Sequence, residues 1–160
     1  TDCTTGQACY LCEKHSPERI IDIVKASSSL PYVTPISYVD GRPMLDGGIS
    51  DSIPIARASE QGFPNSVVVL TRNKGYRKPE KQRVPFWAYR KYPALREALR
   101  TRNKRYNSDM ELIERLEEEG RIIVIRPERP IVVGRMERNT SRLLDLYNEG
   151  YEIASRIEFR

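Results

Sequence analysis

MLDGGISDSIPIARASEQGFPNSVVVLT (Met44–Thr71) runs from an extended apolar segment through a double-glycine turn and a short helix into a β-branched strand. Asp46 stands at the strand-to-loop junction, where α/β enzymes keep their chemistry. Asp51 or Ser52 is expected to cap the helix, which carries Pro54 in its first turn and stops near Gly62. Ser66–Thr71 shows no polar alternation, the pattern of a parallel strand covered on both faces.

Outward from this stretch the chain alternates in the same way. TDCTTGQACYLCEK (1–14) reads as two short strands joined by a turn at Thr5-Gly6. Ser16 is a good N-cap for a helix with Pro17 in its first position, ending before Pro31. Extended pieces then surround an Asp40-Gly41 turn. PALREALRTRNKRY and SDMELIERLEEEG read as two helices, the second opening at Ser108 or Asp109 and closing at Gly120. RIIVIRPE is a second buried strand, and NTSRLLDLYNEGYEIASRI a closing helix. Strands separated by helices imply an α/β fold of three layers, α/β/α, around a largely parallel sheet.

Composition bounds the function classes. A chain of 160 residues is the size of one domain and buries roughly two-thirds of its unfolded surface. With 39% apolar and 31% charged residues it is neither a disordered nor a membrane composition, and its apolar runs are too short to span a bilayer. The first residue is Thr1, not Met, so the chain reads as a piece of a longer protein. The net charge of +5 is local: Arg72 to Arg105 holds thirteen Lys or Arg against Glu80 and Glu97, a balance of +11 against −6 elsewhere. Interleaved Tyr76, Phe86, Trp87, Tyr89, Tyr92 and Tyr106 suit this segment to phosphate-bearing partners, lipid headgroups or nucleic acid. The competing reading is a solvated loop and helix face.

Cys3, Cys9, Cys12 and His15 have the residue types of a zinc site. On a strand, however, Cys9 and Cys12 point to opposite faces, so no metal is expected and the thiols are read as free. Three cysteines without a disulfide framework favour a reducing compartment, the cytoplasm.

ASSSLPYVTPISYVDGRPMLDGGISDSIPIARASEQGFPNSVVVLTR (26–72) resembles the second half of a bacterial patatin-like phospholipase. There a Ser/Ala-rich segment ending in Pro leads to an extended stretch, a D-G-G, an Ile-Pro helix and a strand ending in L-T-R. TDCTTGQACYL, and the tail IIVIRPERPIVVGRMERNTSRLLDLYNEGYEIA, are similar to parts of the same bacterial group. The resemblance implies a patatin-like α/β/α domain, here its C-terminal part, whose missing N-terminal half leaves the sheet incomplete. Within 1–160 it divides into a 1–71 portion with the D-G-G loop, the basic aromatic segment 72–106, and 107–160.

What the family does is hydrolyse lipid acyl esters with a Ser-Asp dyad, the serine in a G-x-S-x-G elbow and the aspartate in D-G-G or D-G-A. The resemblance therefore assigns the dyad aspartate to Asp46, with Gly47 and Gly48 supporting the loop. A carboxylate that itself orients or deprotonates serine makes His15 unnecessary. No cofactor is implied. Substrates would be phospholipid or lysophospholipid acyl esters, with peripheral membrane contact through Arg77, Lys78, Lys81, Arg83, Trp87 and Tyr89.

The chain departs from the family pattern in having no G-x-S-x-G and no glycine-rich oxyanion loop. Ser27, Ser28 and Ser29 end a helix without flanking glycines and are not expected to replace the nucleophile, so the piece alone is expected to be inactive. Asp51 is the second carboxylate candidate, with helix capping as its simpler role. An incomplete sheet edge invites self-association. The alternative function is a non-catalytic module binding membrane phosphates or nucleic acid through 72–106. Nucleic acid is not expected, because no RRM, KH or helix-turn-helix signature accompanies the charge.

Overall fold

The computed structural model describes residues 1–134 and 137–157, so Arg135 and Met136 of the tail resemblance and residues 158–160 lie outside it. Two compact units form, one from Thr1–Pro54 and Lys78–Met110, the other from Ile55–Arg77 and Glu111–Arg160.

In the first unit, helix α1 (Pro17–Ser27) starts as its sequence dictates: Ser16 Oγ accepts the Arg19 N–H at 3.2 Å, and Pro17 needs no donor there. Strands β1 (Ser37–Val39) and β2 (Arg42–Met44) pair antiparallel, with Ser37 opposite Met44 and Val39 opposite Arg42. Their two-residue turn has Asp40 and Gly41 both at positive φ, the geometry whose twist matches that of the strands. Thr1–Cys3 runs along the other edge of β2, with Leu45 N–H donating to Thr1 O at 2.9 Å and Cys3 N–H to Pro43 O at 2.8 Å.

The expected N-terminal hairpin does not form. Asp2 Oδ1 instead accepts the N–H groups of Thr4 and Thr5, at 2.8 and 3.2 Å, and Gly6 N–H closes onto Asp2 O. This local side-chain capture makes a tight turn. Residues 8–12 then leave the ladder, so Cys9 and Cys12 are not on a strand. Cys3 is fully buried, Cys9 half-buried and Cys12 exposed, and burial pushes the Cys3 thiol up to about 11.

Helix α3 (Pro93–Glu118) replaces the two helices expected between 93 and 120. Nothing between Pro93 and Gly120 breaks it: the Asn107-Ser108-Asp109 run resembles a cap, but Asn107 spends its side chain on the Lys78 backbone, accepting at 2.8 Å and donating at 2.9 Å. In the first unit α3 packs Leu95, Ala98 and Leu99 against Cys3, Leu45 and Ile49.

The second unit holds α2 (Ile55–Glu60), β3 (Val67–Val69), the end of α3, β4 (Ile123–Ile125) and α4 (Thr140–Ser155). Gly120, at φ +68°, ends α3 where expected, with Arg121 N–H reaching Leu116 O. Asn139 caps α4 by accepting the Arg142 N–H at 3.2 Å. Strands β3 and β4 are parallel, Val68 opposite Val124. The described chain is thus mixed α/β with two short two-stranded sheets. The expectation that the Val67–Val69 strand is covered on both faces is corrected: Val68 is buried while Val67 and Val69 are exposed, so within the unit one face of the pair stays open. Among the described residues no helix is long and apolar enough to cross a membrane.

Gly6 has φ +69°, and a Cβ there would lie 2.5 Å from Ala94 O, whereas Gly62, at φ +89°, faces open space. Gly62→Ala should then cost only the left-handed backbone term, about 1 kcal/mol, and Gly6→Ala that term plus displacement of the α3 backbone, about 2 kcal/mol or more. Urea unfolding of the two variants checks the difference; equal losses would mean that the Gly6–Ala94 approach is absent.

Candidate active site

Asp46 sits between two buried anchors, Leu45 and Ile49, at the end of β2. The residues between form a single 3₁₀ turn, Gly47–Ile49, with Asp46 as its cap. Oδ1 accepts the Gly48 N–H at 2.7 Å, so one carboxylate oxygen is locked by its own loop. Backbone contacts fix the residue from both sides: its N–H donates to Ser29 O at 2.9 Å, and its O accepts the Thr1 hydroxyl at 2.8 Å. No ion pair neutralises the carboxylate among the described residues. The half-buried group is thus held at Oδ1 and at both backbone atoms.

The two glycines differ in role. A Cβ on Gly47 would meet nothing, whereas one on Gly48 would lie 3.0 Å from Asp46 Oδ1. At Gly48 the missing side chain makes room for the aspartate's own carboxylate.

Gly48 is also held at its carbonyl, which accepts Arg102 Nε at 2.7 Å and Ser52 Oγ at 2.8 Å. One turn further along α3, Arg105 Nη2 donates to Ile49 O at 2.9 Å and Ala98 O at 2.5 Å. Burial lowers the Arg105 pKa from its ordinary value. Neither arginine stood out in the sequence, where both merge into the basic run. The signal was their phase: 102 and 105 fall on the face set by Leu95, Leu99, Tyr106 and Met110.

Ser29 is buried, donating to Lys25 O and sharing a hydrogen bond with Ser37 Oγ, both at 2.7 Å. These bonds give it a structural role. Asp51 does not cap α2; its carboxylate accepts the Tyr10 hydroxyl. His15 is exposed and gives its backbone N–H to Glu13.

The six residues expected at a membrane surface are placed differently from one another. Arg77 forms a bidentate pair with Glu114, at 2.6 and 3.1 Å, and the ammonium of Lys78 lies 3.6 Å above the Tyr106 ring. Both cations are thus engaged within the chain. Lys81 and Arg83 are exposed, Trp87 is 63% exposed and Phe86 80%. Tyr89 is half-buried, stacks near Tyr32 and accepts the Tyr32 N–H at 2.8 Å. Arg96 donates to Pro85 O and Ala88 O, fixing the turn that carries Phe86 and Trp87 outward.

Comparison with known proteins finds the patatin-like phospholipase family matching residues 10–59, a stretch that includes Asp46. A domain of unknown function, DUF6363, matches residues 92–158, from the start of α3. The chain is similar to the uncharacterized protein YjjU of Escherichia coli (strain K12), 34% identical over 80 residues, covering 42% of this chain and 22% of that protein.

Beside the aspartate loop, a cavity of about 210 Å³ is lined by Ser50, Thr101, Lys104, Arg105, Ser108 and Asp109. Burial, reinforced by the nearby Asp51 charge, pushes Asp109 up to about 6, with Arg105 and Lys78 opposing. Below the ordinary carboxyl range both folded and unfolded chains hold this proton. As pH rises towards 6 the unfolded chain releases it first, so the Asp109 contribution to stability is lost through that window. Asp109→Asn should therefore raise Tm more at pH 7.5 than at pH 4.5; a gain independent of pH would contradict the shift.

Proposed function

We propose that residues 1–160 are the aspartate-bearing, C-terminal part of a serine lipid acyl hydrolase of patatin-like, three-layer design. Asp46 would act on a serine carried outside this chain. The observation that carries the reading is the Asp46 carboxylate itself: pinned at Oδ1 by Gly48, free of any ion pair among the described residues, and inside the patatin-like match.

The chemistry follows from that geometry. With Oδ1 locked, the second oxygen is available to accept a hydroxyl proton, and an unneutralised carboxylate is the better base. Serine, so assisted, attacks an ester carbonyl; donors outside 1–160 stabilise the oxyanion, and water releases the acyl group. Phospholipid or lysophospholipid acyl esters are the substrate class. Exposed Lys81 and Arg83 with Phe86 and Trp87 provide cations for anionic headgroups and aromatic rings for the interface. Arg77 and Lys78 contribute less to that contact, being engaged within the chain.

Hydrolysis of a soluble short-chain ester by the full-length gene product tests the reading. Asp46→Asn should lower kcat about 10²–10⁴-fold while the far-UV circular dichroism is unchanged. Lys81→Glu with Arg83→Glu should leave that rate intact yet reduce turnover of phospholipid in anionic vesicles. Equal ester hydrolysis by wild type and Asp46→Asn would remove Asp46 from the mechanism; equal vesicle turnover would remove the membrane contact.

A further inference from the structure

We propose that Arg102, assisted by Arg105, is a positioning residue for Asp46, and that the first helix of the DUF6363 stretch serves to hold the aspartate loop in place. The inference rests on the reading of Asp46 as the catalytic carboxylate. It gives a task to a region that the family match describes only as a domain of unknown function.

Arg102 reaches Asp46 through one intermediate residue. Its Nε holds the Gly48 carbonyl at 2.7 Å, and the Gly48 N–H holds Asp46 Oδ1 at 2.7 Å. Gly48 is thus gripped at both ends, and any swing of its peptide planes moves the donor that orients the carboxylate. Arg105 repeats the contact one residue on, at the Ile49 carbonyl. Between them the arginines fix two successive carbonyls of the 3₁₀ turn to one rigid helix.

Both cations are half-buried, and burial lowers the Arg105 pKa. Arg102 and Arg105 fall within the stripe of α3 that carries Leu95, Ala98, Leu99, Tyr106 and Met110 to the interior. Neither forms an ion pair among the described residues. A leucine at 102 would pack the stripe without desolvating a charge. The guanidinium provides what leucine cannot, several donors in a fixed plane for carbonyls that the turn leaves unpaired.

Arg102 bonds to the loop and not to the carboxylate. Paired directly with Asp46, Arg102 would occupy the carboxylate oxygen that Gly48 leaves open. Bound to the Gly48 carbonyl, it fixes the loop and leaves the carboxylate unneutralised.

Hydrogen exchange in the full-length gene product tests the clamp. Arg102→Gln should speed exchange of the Gly48 amide about tenfold, with Leu99 and Met110 amides unchanged, since local opening is separable from global unfolding. Arg100→Gln, which alters an exposed partner of Glu97 on the same helix, should leave Gly48 unchanged. Ser52→Ala removes the second donor to the Gly48 carbonyl without touching α3, and should speed Gly48 exchange less but in the same direction. Unchanged Gly48 exchange in Arg102→Gln overturns the proposal, and Arg102→Lys, read by the same criterion, decides if Arg102→Gln does not fold.

In the full-length gene product, Arg102→Gln should lower kcat about 10- to 100-fold, the scale of a misplaced catalytic group, with KM changed by less than about twofold. Arg102→Lys should restore part of kcat, and Arg102→Gln should add nothing to Asp46→Asn. Full activity in Arg102→Gln beside an inactive Asp46→Asn overturns the positioning role alone. Full activity in Asp46→Asn overturns the reading of Asp46 and, with it, this inference.

Discussion

Leu45 and Ile49, fully buried against Leu95, Ala98 and Leu99, bracket the Asp-Gly-Gly turn, and the candidate site depends on that pair of anchors. Burying each such side chain is worth about 2 kcal/mol, more than the single hydrogen bond of about 1 kcal/mol that then orients the carboxylate. Apolar packing therefore sets where the turn lies. The polar contacts of Gly48, Ser29, Thr1 and the two arginines set how Asp46 points within it. Because the anchors are four residues apart, the segment between them has little freedom left, and its carbonyl and amide contacts complete its shape.

Much of this was legible in the sequence because it is local. Ser16 before Pro17 starts a helix, Asp40-Gly41 makes a hairpin turn, Asn139 caps α4, and Gly120 ends α3, each through residues within a few positions of one another. The Asp46–Gly48 bond belongs to the same class. A double glycine after an aspartate at a strand end already implied a sharp turn, and the structure adds that a Cβ at Gly48, unlike one at Gly47, would crowd the Asp46 carboxylate at 3.0 Å.

The misread features are those where a side chain had two local options and a distant partner decided between them. Ser108 or Asp109 resembles a helix start, but α3 continues through both, with Asn107 just before them held by Lys78, 29 residues away. Thr5-Gly6 does turn, with Asp2 N–H reaching Gln7 O, but here the deciding contact is local: the Asp2 carboxylate holds the Thr4 and Thr5 amides, and residues 8–12 leave the ladder. Asp51 resembles a cap, yet it receives Tyr10. Arg102 and Arg105 were hidden by composition, since a charge count treats all cations of 72–106 alike while helical phase separates the two that face inward from those that do not. A β-branched run likewise reported a strand correctly, but not that one of its faces would stay open within this unit.

The proposed task of Asp46 is to activate a serine carried outside residues 1–160. Labelling the full-length gene product with a fluorophosphonate, then mapping the modified peptide and its rate, addresses that claim directly. One reactive serine outside 1–160 is expected, labelled much more slowly in Asp46→Asn. Labelling within the chain, at Ser27–Ser29 for example, or equal rates in the two proteins, would contradict it.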